Sequence, residues 1–256
     1  MRRQEPLRAV TPRMLGNILW AAFLIWSVLV GVLWMSGVSG AAAAGVFPKG
    51  PLRVVANLLI GSADALWLVL AAVTVYLGVA SREGLNFIRV RTLWIAVAAV
   101  LLAVCSLRTG APLGTVAYTE RLGMKIVGVP FGWALLWITI VWSARETALR
   151  FLPRASHLQI AFASGLLALL TILNLEPLAS QVRFFWFWYV PGTRLPSSAG
   201  AWNYLTWTLA VTSLAFAIRS PHPAYRAQQE SDRASWTLAV LNLVFLLTHF
   251  SGPIRN

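Results

Sequence analysis

The chain has 256 residues, of which 58% are hydrophobic and only 11% charged, and its mean hydropathy is +0.70. That leaves too few polar groups to cover a soluble globule and places the chain in the polytopic membrane class. The formal net charge of +13 does not imply nucleic acid, because the cations are spread along the connections between apolar runs, where membrane topology accounts for them.

A lipid core of about 30 Å takes roughly 20 apolar residues as helix, since an unpaired amide in hydrocarbon costs several kcal/mol. Seven runs meet that need: residues 15–38, 54–80, 88–106, 126–144, 158–178, 200–218 and 234–250. The expected fold is therefore an all-α, polytopic membrane bundle of about seven helices; six spans with one re-entrant segment is the alternative, because the last run is short. Its connections leave no room for a soluble catalytic domain, so residues 1–256 are expected to form a single integral-membrane domain. The first run is long and carries Trp20, Trp26 and Trp34, which predicts a retained span and not a cleaved leader. Assigning cations to alternate sides puts thirteen on one side and eight on the other. The positive-inside rule then predicts a multi-pass protein of the cell membrane with a cytoplasmic N-terminus.

Eight acids are few enough to weigh one by one. Glu5, Glu230 and Asp232 lie in hydrophilic stretches, and Glu83 sits beside Arg82 in a short connection; these read as solvated charges. Glu146, between Arg145 and Arg150, reads as one half of an ion pair at the membrane interface. Asp64 falls inside the second run near Ser62 and Asn57, and is either functional or a partner for an arginine elsewhere. Glu120 precedes the fourth run and Glu176 ends the fifth, so with Asp64 they belong to the same side of the membrane. The alternative is that Glu120 pairs with Arg121 or Lys125 and Glu176 only marks the interface. The lone cysteine, Cys105, is expected to be a buried structural thiol.

Two stretches break the helical pattern. The Gly- and Pro-rich segment from Arg108 to Trp137 reads either as backbone lining a polar cavity or as an ordinary loop. The segment from Arg183 to Pro196 holds six aromatics in a row, Phe184 to Tyr189. It is either an interfacial belt or a wall for a long apolar ligand whose ring faces can stabilise a transient cation. His157, His222 and His249 lack ligand spacing, and no nucleotide, serine-hydrolase or histidine-box motif is present. No metal and no cofactor is expected, which leaves acid–base chemistry on an apolar ligand.

The first of these segments, "RTGAPLGTVAYTERLGMKIVGVPFGWALLW", resembles the motif of the membrane carotenoid-biosynthesis hydratases of the bisanhydrobacterioruberin and γ-carotene 1′-hydratase type. The resemblance runs through Thr109, Gly110, Pro112, Gly114, Tyr118, Thr119, Leu122, Gly123, Lys125, Gly128, Val129 and Pro130, and again through Glu176, Pro177, Trp186 and Trp188 of "LEPLASQVRFFWFWYVPG". Departures are Glu120 and Glu176 in place of aspartates, Leu113 in place of phenylalanine, and Ala103 where an acid is expected. The resemblance implies a hydro-lyase that adds water to the terminal double bond of an acyclic carotenoid end group, giving a tertiary alcohol. A neutral carboxylic acid protonates the less substituted alkene carbon, and a general base delivers water to the cation.

On that reading the catalytic candidates are Glu120 and Glu176 as an acid–base pair, Asp64 as a substitute third acid, and Tyr118 as the water-orienting hydroxyl. Trp186, Trp188, Tyr189 and Pro130 would bind substrate. Expected partners are a lipophilic carotenoid or isoprenoid substrate, the lipid bilayer and other carotenoid-pathway enzymes, with no nucleic acid. The other function classes are a carotenoid- or isoprenoid-binding membrane protein without catalysis, and a small transporter or assembly subunit using Asp64 as its intramembrane charge.

Overall fold

The structure is a computed structural model that describes residues 12–36, 50–193, 195–219 and 232–251. Glu5, Glu230, His222 and the cations Arg2, Arg3, Arg8, Lys49, Arg194, Arg226 and Arg255 lie outside the described residues, as does the side chain of Asn57.

Among the described residues seven helices carry the fold: α1 (Pro12–Ser36), α2 (Pro51–Glu83), α3 (Leu85–Thr109), α4 (Phe131–Phe151), α5 (His157–Pro177), α6 (Ala201–Ala217) and α7 (Arg233–Ser251). Their order matches the seven predicted runs, and the protein is an all-α bundle with two small sheets. Among the described residues, four stretches are long and apolar enough to cross a membrane: Met14–Met35, Gly61–Glu83, Leu85–Thr109 and His157–Val182. Their outward faces carry Ile18, Ile25, Val28, Leu93, Val97, Leu101, Phe162 and Leu170 exposed, the composition that hydrocarbon tolerates and water does not.

Helix α4 is the hub. From Trp133 to Ala148 it is buried nearly all round, as expected of a helix enclosed by others. It packs on α2, α3, α5, α6 and α7, while α1 lies outside against α2 and α7. The turn at Gly84 (φ +84°) joins α2 to α3 with no intervening loop.

The fourth helix starts five residues later than its apolar run. Residues 125–130 form a hairpin of β2 (Lys125–Ile126) and β3 (Val129–Pro130), with Val127 and Gly128 both at positive φ in the two-residue turn. Pro130 then caps α4, where its missing N–H costs nothing. The aromatic run, expected as a loop, forms strand β4 (Trp186–Tyr189) between β1 (Val116–Tyr118) and β5 (Pro196–Ser197).

Other expectations need correction. Glu83 is buried and accepts from Arg145 at 3.5 Å, and Glu146 bonds both Arg82 and Arg145 (2.9 Å to the latter), so four charges neutralise one another where α2 meets α4. Asp232 pairs with Arg150 at 2.8 Å. Cys105 is exposed, because the buried face of α3 runs through Ile95, Ala99, Ala103 and Ser106 and turns position 105 outward.

Candidate functional site: a buried carboxyl in an indole box

The non-helical segments meet at one end of the bundle. Strands β1 and β4 run antiparallel with Tyr118 opposite Trp186 and Val116 opposite Trp188. With a period of two, those four side chains share the inner face, and Phe187 turns outward. Bonds from Thr119 N to Phe185 O and from Tyr189 N to Thr115 O extend the ladder at both ends.

Glu176 lies beneath this face at the end of α5 and is 4% exposed. Beyond Pro177 the chain widens into a π-turn (Leu178–Val182), closed by Arg183 N donating to Leu178 O at 2.7 Å; such turns recur at functional sites. Phe184, at φ +53°, reverses the chain so that Trp186 and Trp188 come back over the carboxyl. Trp186 Nε1 donates to both carboxyl oxygens at 3.2 and 3.3 Å, and Trp188 Nε1 donates to Oε1. Two indole donors thus orient one buried carboxyl, among rings and not in water.

Around it stands a box of rings. Trp133, on α4, is the centre: its ring lies 5.0 Å from Tyr118, 5.4 Å from Trp186 and 5.5 Å from Trp207. Trp137, one turn along α4, stacks on Trp207 of α6 at 3.9 Å. Trp133 is locked by donation to Ala99 O at 3.0 Å, and α6 is tied to the Gly/Pro segment by Thr206 Oγ1 donating to Pro112 O at 3.0 Å. Ala103 sits one turn beyond Ala99 on the same buried face of α3, so the position where an acid was expected adds only a methyl group to the core. Burial holds the Tyr118 hydroxyl well above its ordinary value, with the Glu176 charge adding to the effect, so the phenol keeps its proton.

The other predicted residues fall elsewhere. Asp64 is buried and accepts from Arg183 at 2.5 Å and from Trp34 Nε1 at 2.8 Å, with the guanidinium over the Trp34 ring. Its charge is therefore matched by an arginine, as its alternative reading held. Arg183 adjoins the π-turn, so this pair fastens the Glu176 segment to α1 and α2. Glu120 is exposed in the turn after β1 and makes no ion pair among the described residues. Tyr189 is half-buried at the end of β4, and Pro130 is buried as the α4 cap.

Sequence reasoning missed Trp133, Trp137 and Trp207, and it missed Asn203, which is fully buried one turn before Trp207 on the inner face of α6. The available signal was spacing: 133/137 and 203/207 are both i, i+4 pairs in apolar helices. A separate cleft of about 460 Å³ between α4, α5 and α7, lined by Arg150, Asn174, Asn242 and apolar side chains, shares no residue with this box.

The fold is a helical bundle with apolar outward faces and one carboxyl sealed under indoles. The family model described as "carotenoid biosynthesis protein" matches residues 63–252, and the chain belongs to that family. No curated protein and no solved structure matches it.

Proposed function

We propose that the protein hydrates the terminal double bond of an acyclic carotenoid end group to a tertiary alcohol. The observation that carries this reading is Glu176: a buried carboxyl held by Trp186 and Trp188 beneath the rings of Trp133 and Tyr118. As the acid, Glu176 gives its proton to the less substituted alkene carbon. The tertiary cation that results is stabilised by ring faces and by the carboxylate just formed. Water attacks the cation and returns a proton to Glu176, so the acid is regenerated without an added base. Trp186, Trp188 and Trp133 fix the end group, and Tyr118 stays neutral beside it as a hydroxyl that orients water. Glu120, outside on the rim, is not needed to balance the reaction.

Ala103, standing where a third acid was expected, favours one other reading, a binder that holds carotenoid unchanged. Expression in a bacterium that accumulates lycopene, with the pigments analysed by chromatography and mass detection, decides between them. A product heavier by one or two waters, lost in Glu176→Gln, is the expected result. Pigment that co-purifies unchanged, with both lycopene and γ-carotene supplied and the protein present in the membrane, would overturn hydration.

A further inference from the structure

We propose that Asn203 and Tyr118 form the binding site of the attacking water, an inference that rests on the hydratase reading. Other buried tryptophans find acceptors: Trp34 on Asp64, Trp67 on Ser27, Trp142 on Thr92 and, within the box itself, Trp133 on Ala99. Four buried polar atoms near the indole box do not: Asn203 Oδ1, Asn203 Nδ2, Tyr118 Oη and Trp137 Nε1. Asn203 is 0% exposed and Tyr118 6%, and an unmatched amide or hydroxyl in an apolar interior costs about 1–3 kcal/mol. Thr74 Oγ1 and Ser143 Oγ also lack a partner among the described residues, but these three groups, on Asn203, Tyr118 and Trp137, gather around one box. As the walls of a site for a small polar molecule they are complementary, because a buried water takes two to four polar partners.

Their placement joins them to Glu176. Asn203 shares the inner face of α6 with Trp207, which stacks on Trp137 and neighbours Trp133. Tyr118 is the residue opposite Trp186, whose indole holds the carboxyl.

The water's valences are then used in full. One O–H is given to Asn203 Oδ1, and Tyr118 donates to one lone pair. The second lone pair forms the C–O bond to the tertiary cation, and the second proton passes to the carboxylate that Glu176 became on protonating the alkene. Alkene and water are consumed, the alcohol forms, and the acid is restored.

The test separates protonation from water capture. Membranes holding the full-length protein are given lycopene in D₂O, and both hydrated product and deuterium in recovered lycopene are measured. Without a held water the cation collapses by losing a proton, so Asn203→Leu should still place deuterium in lycopene while hydration falls roughly tenfold to a hundredfold. Tyr118→Phe, which removes only an unmatched hydroxyl and leaves the ring packing, should shift the partition the same way, and Asn203→Ser should recover part of the hydration. Glu176→Gln should lose exchange and hydration together.

If the wild-type protein gives neither hydration nor exchange, the hydratase reading itself fails. If it hydrates lycopene while Asn203→Leu and Tyr118→Phe hydrate at its rate, only the water site is overturned. Loss of hydration and exchange alike in Tyr118→Phe, with protein present in the membrane, would equally overturn it, since the hydroxyl would then serve protonation.

Discussion

At the scale of single residues, burial separates acids that look equivalent on paper. Glu176 and Glu120 both flank apolar runs, yet the first is sealed under indoles and the second stands in the open turn after β1. A proton delivered to an alkene has to be held away from water, and a positioned acid is worth about 10²–10⁴-fold. Glu176→Gln should therefore lose hydration by at least that factor, and Glu120→Gln should lose less than about tenfold, read as initial rates of hydrated pigment formed. Equal losses would mean that Glu120 moves inward during turnover. Asp64 makes a different prediction. Removing one partner of a buried pair leaves the other uncompensated, at a cost of about 3–5 kcal/mol, so Asp64→Asn should lower thermal stability in detergent by that order. If the pair only positions the Glu176 segment, the double variant Asp64→Asn/Arg183→Met should regain stability and hydration together. An acid that took part in the chemistry would leave the double variant stable and inactive.

The same scale shows what was legible. Tyr118, Trp186 and Trp188 stand out in the sequence because they sit in non-helical stretches between apolar runs, and Glu176 because it is a carboxyl at the end of one such run, where a charge needs a reason. Asn203 does not, because a single asparagine near a helix start looks like a capping or hydrogen-bonding residue. Only the packing of α6 against α4 shows that its amide is buried without a partner.

At the scale of elements, apolar length located every helix but α4 within a few residues at each end, since it is the membrane thickness that sets it. It placed the start of α4 wrongly because Ile126 to Pro130 is apolar enough to extend a span, while the hairpin turn at Val127 and Gly128 depends on backbone angles that hydropathy does not carry. The close approach of α5 and α6 is equally invisible from composition. A Cβ built on Gly165 would lie 2.0 Å from Thr212 Oγ1 and 2.8 Å from the carbonyl oxygen of Thr208, so the glycine lets two helix backbones touch. Gly165→Ala should force them apart at a cost of about 1–3 kcal/mol, measured as a lower melting temperature in detergent. Thr212→Ala in that background should restore only part of the loss, because the Thr208 carbonyl stays in place. Since α5 ends at Glu176 and α6 carries Asn203, the same variant should also slow hydration; normal rates with lower stability would show that the site tolerates the shift.

At the scale of the whole molecule, chain order sorts the connections to two ends. The turn at Gly84 and residues 152–156 lie at one end, and the segments 110–130 and 183–193, which help build the indole box, lie at the other. The first end is rich in arginine, and the four-charge cluster there uses Arg82 and Arg145 to neutralise Glu83 and Glu146. The positive-inside rule counts cations and not net charge, so this pairing leaves the expected orientation unchanged. The rule predicts a cytoplasmic Gly84 end and an indole box toward the outer face. Cysteine labelling tests this in a variant with Cys105, the chain's one cysteine, replaced by alanine, so that each introduced thiol is the sole target. Met124, 77% exposed in the segment leading to the α4 hairpin, and Arg154, exposed in the α4–α5 connection, report the two ends. A membrane-impermeant maleimide should label Met124→Cys in intact cells and Arg154→Cys only after permeabilisation. The reverse pattern would put the N-terminus outside and the indole box on the cytoplasmic face, so that the water captured at Asn203 would be drawn from the cytoplasm.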